Sequence, residues 1–203
     1  ETVLDLGCGN GRHSISLSEH FKLVDGIDIS SENITLAKKN KIENLKFFIS
    51  DMRNFDTKTK YGYIFNLFTS FGYFKKNEDN INVLKNCNNH LKKDGLLFID
   101  FLNSEKIKMT INGLKETINF DGIKFNIHKK IVDNYVVKTI EIVDGDLTFN
   151  FQEKVQLFKI EDFKEMLGIS GFELLSSFGD YQMNPYDLNS NRLILCAKKL
   201  AND

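Results

Sequence analysis

Val3-Leu4-Asp5-Leu6-Gly7-Cys8-Gly9-Asn10-Gly11-Arg12-His13 is the stretch on which the fold turns. Its apolar opening predicts a strand over Thr2 to Leu6 that breaks into three glycines spaced by two. Ser14, Leu17, Ser18 and Phe21 follow at i, i+3, i+4 and i+7, one face of a helix whose small serines allow close approach to a sheet. A strand, a glycine turn and a helix in that order let the backbone pass close to a ligand, because a Cβ there would collide with it. Working outward, Leu23 to Ile29 reads as a second strand carrying Asp28 near its end, 21 residues beyond Gly7. An acid at about that offset accepts hydrogen bonds from ribose hydroxyls. A glycine triplet alone fits any tight turn; the triplet with the spaced acid points to a nucleoside ligand.

The spacing narrows the nucleoside. Dinucleotide folds use GxGxxG to seat a pyrophosphate on the helix N-terminus. Here the pattern is GxGxG, and Asp5, two positions before the first glycine, would repel a diphosphate and attract a cationic amino group. A nicotinamide-dependent oxidoreductase, which would share the fold, is disfavoured on both counts. The chain's 203 residues suit one core with an insertion, and 41% hydrophobic with 27% charged residues exclude a disordered chain. Its 27 Lys+Arg against 28 Asp+Glu give a net charge of −1, without the basic footprint of a nucleic-acid binder. Cys8, Cys87 and Cys196 are widely spaced and form no CxxC pair, so neither a disulfide framework nor a metal site is expected, and a cytoplasmic location is. Neither a membrane-length apolar run nor a signal-like segment is found, so no membrane partner is expected. Glu1 stands directly before the first strand without an initiator Met, which suggests natural residues upstream.

The remaining pattern is that of βα units around a mostly parallel sheet. Ser30 is the expected N-cap of a second helix, with Glu32 in its first turn and Ile34 and Ala37 facing inward. Strands are expected over Leu45 to Ile49, Tyr63 to Phe68 and Leu96 to Phe101. A long helix from Asn77, with Ile81, Leu84, Cys87 and Leu91 on one stripe, is expected to end at Asp94-Gly95 through a left-handed glycine. From about Lys115 to Phe158 the rhythm changes to strands separated by the turn pairs Asp121-Gly122, Asp133-Asn134 and Asp144-Gly145. Phe125, Ile127 and Ile131 alternate with Lys124, Asn126, His128 and Lys130, which predicts one buried and one wet face. A short helix around Phe163, Met166 and Leu167 and strands over Phe172 to Phe178 and Leu193 to Ala197 close the chain. The expected organisation is a nucleoside-binding core over 1–110, an inserted antiparallel sheet over 111–158, and a segment over 159–203 that completes the core.

With these motifs the sequence resembles the class I S-adenosylmethionine-dependent methyltransferases, whose strand-one motif reads like LDLGCGxGR. The resemblance implies an α/β Rossmann-like sheet of seven strands, the last antiparallel, with S-adenosylmethionine as cofactor and S-adenosylhomocysteine as product. It implies that the glycines approach the methionine part, that Asp28 holds the ribose, and that Asp51 and Met52 meet the adenine. Cofactor contacts are thereby expected from Asp5, Gly7, Cys8, Gly9, Asn10, Gly11, Arg12, Asp28, Ile29, Asp51, Met52, Asn66, Leu67 and Phe68. The stretch Asn66 to Phe74 is similar to an "lFTSFGYF" segment of small bacterial members, and Leu91-Lys92-Lys93-Asp94-Gly95 looks like the family's "LKpGG" turn with Asp94 in place of a glycine. The (N/D)PP(Y/F) signature of nucleobase amino-methylation is absent after strand four. Asn184-Pro185-Tyr186 lies too late in the chain to replace it and is assigned to a turn.

Displacement at a sulfonium has a good leaving group already, so the expected catalysis is alignment and exclusion of water, with a base for the acceptor's proton where needed. Candidates for that base are His13, beside the glycine motif, His128, on the inserted sheet, and Tyr73, after strand four; Tyr73, Asn103 and His128 are the candidate acceptor contacts. Each also has an ordinary reading as a helix, strand, packing or capping residue. Phe65, Phe68, Phe71, Tyr73 and Phe74 read either as core alone or as a run whose portion from Phe68 onward lines a pocket, where aromatic faces suit a sulfonium. The expected acceptor is a nitrogen or oxygen of a small molecule. A peptide or RNA acceptor and a non-catalytic cofactor-binding module are the alternatives. The inserted sheet is expected to cover the acceptor or, in a homo-oligomer rather than a monomer, to contact a second copy.

Overall fold

The computed structural model describes residues 1–111 and 113–201. Its elements run β1 (Thr2–Leu6), α1 (Arg12–Ser18), β2 (Leu23–Asp28), α2 (Ser31–Ala37), β3 (Leu45–Ile49), β4 (Tyr61–Asn66), α3 (Asn77–His90) and β5 (Leu91–Leu102). They continue with α4 (Ser104–Thr110), β6 (Leu114–Phe120), β7 (Ile123–Val132), β8 (Tyr135–Asp144), β9 (Leu147–Gln156), α5 (Ile160–Ile169), β10 (Phe172–Phe178) and β11 (Arg192–Lys199). Seven strands make one sheet in the order β10-β11-β5-β4-β1-β2-β3. Strands β1 to β5 pair in parallel, while β11 runs antiparallel to both β5 and β10. This is the architecture expected from the sequence.

The central strands are near-continuous apolar runs because helices cover both faces. On one side Val83, Leu84 and Cys87 of α3 and Phe163, Met166 and Leu167 of α5 pack with Leu4, Leu6, Ile64 and Phe101. On the other, Ile34 and Ala37 of α2 pack with Val3, Val24, Leu45 and Phe47, flanked by Ile15 and Leu17 of α1. Ser30 caps α2 as expected, its hydroxyl accepting from Asn33 N at 3.2 Å. The turn before β5 is built differently from the expectation. Helix α3 ends at His90, and Asp94 rather than Gly95 takes the left-handed conformation, at φ 60°. Gly95 is needed for closeness instead, since a Cβ there would lie 3.0 Å from Leu91 Cδ2 and Lys92 O. Asp94 is fixed by an ion pair with Lys198 at 2.8 Å. Strand β4 also stops at Asn66, so Leu67 and Phe68 leave the sheet.

Strands β6 to β9 form a separate antiparallel sheet in sequence order. Asp121-Gly122 and Asp133-Asn134 make two-residue hairpins with both residues left-handed. The third turn is Gly145-Asp146, because Asp144 still pairs with Leu147 in the ladder. The register aligns Ile118, Phe125, Ile142 and Phe149 in one row and Ile127, Ile140 and Phe151 beside it, an apolar face as the alternation predicts. That face is not buried, however: Phe120 is 72% and Phe151 55% exposed. Among the described residues only the root of the sheet joins the main core, through Val136 and Val155, and the rest overhangs without a covering layer. The root is tied down by Gln156 N donating to Gly72 O at 2.9 Å and by Ser104 Oγ donating to Phe158 O. The inserted sheet therefore hangs from the loop that follows β4. The expected boundary between 110 and 111 falls at the end of α4, next to residue 112, which lies outside the described residues.

Candidate active site

The carboxyl ends of β1, β2, β3 and β4 converge on a cavity of about 520 Å3, a volume suited to a small ligand or cofactor. Of the expected cofactor contacts, Gly7, Gly9, Asp28, Ile29, Asp51, Met52 and Phe68 line it. Thr69, Ser70, Tyr73 and Phe74 add the rim contributed by the loop after β4. The three glycines of the motif serve different ends. A Cβ on Gly9 would meet nothing within 4 Å, so this is where a ligand can lie against bare backbone. A Cβ on Gly7 would lie 2.8 Å from Ser70 Cβ, and one on Gly11 would lie 2.6 Å from Phe47 Cζ. Gly7 thus admits the rim loop, and Gly11 lets α1 settle on β3.

Asp28 stands at the cavity wall with Oδ2 accepting from Gly9 N at 2.8 Å and Oδ1 from Ser30 N at 2.9 Å. A carboxylate has about four acceptor positions, so both oxygens keep capacity for ribose hydroxyls. Asp51 accepts from Arg53 at Nη2 (2.6 Å) and Nε (3.1 Å), which holds its carboxyl below the usual range, and the Arg53 guanidinium lies 4.9 Å from the Phe74 ring centroid. Asp5 departs from expectation. It is 1% exposed and lies beneath the loop, accepting from Ser14 Oγ at 2.6 Å, and burial raises its carboxyl to about 6. It fastens α1 to β1 and does not line the cavity. Cys8, Asn10, Gly11, Arg12, Asn66 and Leu67 do not line the cavity either. Cys8 is buried, which pushes its thiol well up, and Asn66 Nδ2 donates to Leu6 O at 2.8 Å to join β4 to β1.

Three residues that brace the rim from behind escaped sequence reasoning: Asp100, Tyr181 and Arg192. Asp100 accepts from Arg192 Nε at 2.7 Å, from Tyr181 Oη at 3.0 Å and from Phe68 N at 3.0 Å. The available signal was a lone acid inside the apolar run Leu96-Leu97-Phe98-Ile99-Asp100-Phe101-Leu102. Phe68 and Thr69, held beside it, are consecutive left-handed residues at φ 57° and 65°. Such non-glycine conformations cost of order 1–3 kcal/mol each and persist where the surroundings over-determine them.

A family model described as "Methyltransferase domain" matches residues 3–95, which span β1 to the start of β5 and include the glycine loop and Asp28. The chain is 28% identical over 209 residues to YqeM of Bacillus subtilis (strain 168), named provisionally as a methyltransferase, covering 97% of this chain and 83% of that protein. Its fold matches an S-adenosylmethionine-dependent methyltransferase from Clostridium acetobutylicum ATCC 824 with a TM-score of 0.89 at 21% identity, over 98% of this chain and 84% of that one. The chain is an S-adenosylmethionine-dependent methyltransferase whose methyltransferase domain spans residues 3–95. The methyltransferase is also similar to CalS10, an amino pentose methyltransferase from Micromonospora echinaspora solved with S-adenosylmethionine bound (TM-score 0.76, 18% identity, 98% of this chain and 83% of that one). Among its described residues no helix is long and apolar enough to cross a membrane.

Of the four candidates for a base or an acceptor contact, one lines the cavity and a second stands beside the rim residue Phe68. Tyr73 lines the cavity, and burial followed by the nearby Glu153 raises its phenol, so it stays a hydrogen-bond donor at neutral pH. His13 lies 6.2 Å, centroid to centroid, from the Phe68 ring, and burial with the adjacent Arg12 holds its imidazole below the usual range. The other two are elsewhere. Asn103, 1% exposed, caps α4 through Oδ1 and donates through Nδ2 to Asp187, Leu188 and Ser190 carbonyls, so its polar atoms are spent on the helix cap and the 187–190 turn. His128 sits in an open polar groove on the other face of the inserted sheet, with Thr117, Asn126, Thr139 and Glu141. The aromatic run divides as well: Phe71 is in the core, whereas Phe68, Tyr73 and Phe74 line the cavity.

Proposed function

We propose that the methyltransferase transfers a methyl group to a nitrogen or oxygen of a small molecule, by in-line displacement in which alignment supplies most of the rate. The observation that carries this reading is the mouth of the cavity, where Phe68 and Tyr73 expose aromatic surface beyond Gly9 and Asp28. When bound, S-adenosylmethionine supplies an electrophilic methyl on a sulfonium. Asp28 would hold its ribose, Met52 and Asp51 its adenine, and the bare backbone at Gly9, with Gly7 beside it, its methionine part. The aromatic faces suit a cationic centre and exclude water from it. As the acceptor's lone pair forms the new bond to carbon and the bond to sulfur breaks, the acceptor's proton must leave. His13, beside the Phe68 ring and with its imidazole held below the usual range by burial and Arg12, is the base we assign to receive it, directly or through one water.

The likeness to an amino pentose methyltransferase directs the first trials to amino sugars. Incubation with methyl-labelled cofactor and separate panels of amino sugars, hydroxylated small molecules, peptides and RNA is expected to label a small molecule. His13→Ala is expected to slow that transfer by about 100-fold, with cofactor affinity within about threefold of wild type. Label confined to peptide or RNA, or to no acceptor while cofactor is bound, would count against the proposal.

A further inference from the structure

We infer that Asp100 and Arg192 are positioning residues, a clasp that holds the Phe68–Thr69 turn in its left-handed conformation and thereby sets the rim of the cofactor cavity. The inference rests on the cavity being the cofactor site. Asp100 is 3% exposed at the end of β5, and Arg192 opens β11 on the neighbouring strand, where it pairs with Leu102. Arg192 Nε donates to Asp100 Oδ1 at 2.7 Å, and Arg192 Nη2 donates to Thr69 Oγ1 at 2.9 Å and to Asp100 O at 3.3 Å. The same carboxylate accepts from Phe68 N, and the same carbonyl from Thr69 N at 2.9 Å. Both amides of the turn are therefore held by Asp100, and the hydroxyl of Thr69 by Arg192.

An ion pair that served stability alone would be weak evidence for any role, because burying two charges costs much of what their attraction returns. Here the pair is directed at two residues whose backbone would otherwise relax. Neither a phenylalanine nor a β-branched threonine favours positive φ. The Phe68 ring is flanked by the guanidinium of Arg192, 5.7 Å from its centroid, and that of Arg12, 5.2 Å away, which keeps it over the cavity mouth although it is 61% exposed. Past the turn, Ser70 packs against Gly7 and its Oγ donates to Gly7 O at 3.2 Å. A shift at Phe68–Thr69 consequently reaches the glycine loop. Tyr181 Oη, donating to Asp100 Oδ2, ties the 179–191 loop to the same carboxylate, so that loop and the rim share one anchor.

The test is S-adenosylhomocysteine calorimetry and thermal melting on wild type, Arg192→Lys, Thr69→Gly and the double variant. Lysine keeps the charge and the fold but lacks the second nitrogen needed to bridge Asp100 and Thr69. Arg192→Lys is expected to weaken binding about tenfold, the scale on which strain of this kind acts. Glycine adopts φ near +65° without penalty, so Thr69→Gly is expected to make the arginine dispensable. Adding Arg192→Lys to Thr69→Gly should then cost less than about threefold in affinity and lower Tm by less than half as much as it does in wild type. A purely structural ion pair would give the same Arg192→Lys losses in both backgrounds, and that additivity, or wild-type affinity in Arg192→Lys, overturns the proposal. Wild type that binds no S-adenosylhomocysteine contradicts the cavity assignment, and the melting cycle still decides the clasp.

Discussion

Asp28→Ala is expected to weaken S-adenosylhomocysteine binding by about a hundredfold in calorimetry, equivalent to about 2.7 kcal/mol. The side chain would lose its charge-assisted hydrogen bonding to the ribose, a contribution of about 1.5–3 kcal/mol. It would also release Gly9 N and Ser30 N, which it now holds at 2.8 and 2.9 Å, and so loosen the glycine loop and the start of α2 together. Asp51→Ala is expected to cost less, because the Asp51 carboxylate is already engaged by Arg53. Equal losses at the two positions, or wild-type affinity in Asp28→Ala, would contradict the ribose contact.

Gly11→Ala is expected to lower stability by about 3 kcal/mol, through strain at positive φ together with overpacking. At φ 87° its new Cβ would lie 2.6 Å from Phe47 Cζ and 3.2 Å from Ala37 Cβ, between α1, α2 and β3. For a chain of this length the melting temperature should fall by about 6–12 °C. Gly9→Ala meets no neighbour and carries only the conformational penalty, about 1 kcal/mol, while directly obstructing the cofactor. Thermal melting should therefore single out Gly11, and calorimetry Gly9. Similar melting temperatures for the two variants would mean that the glycines share one role.

The βα units, their mostly parallel sheet and the glycine loop were legible because they follow from local patterns, while the seven-stranded sheet with its antiparallel last strand came from the family resemblance. Apolar runs, the glycine triplet and the spacing to Asp28 are written within one βαβ unit. What escaped was the pairing of particular side chains, most of it between distant parts of the chain. Asp5 reads as a ligand contact from its place in the motif, and only the packing of α1 shows Ser14 capturing it. Asn103 lies at the right edge of the sheet, but its amide is taken by carbonyls more than 80 residues away. Asp100 and Arg192, separated by 92 residues, meet only because β11 inserts beside β5. The alternation in β7 correctly predicted two unlike faces, yet period alone cannot say whether anything covers the apolar one.

Calorimetry of the wild-type protein with S-adenosylhomocysteine and, separately, with NADH tests the central claim most directly. One site per chain for S-adenosylhomocysteine with at least micromolar affinity, and no measurable heat from NADH, is the predicted result. Saturable NADH binding, or no binding of S-adenosylhomocysteine by a folded chain, would contradict it.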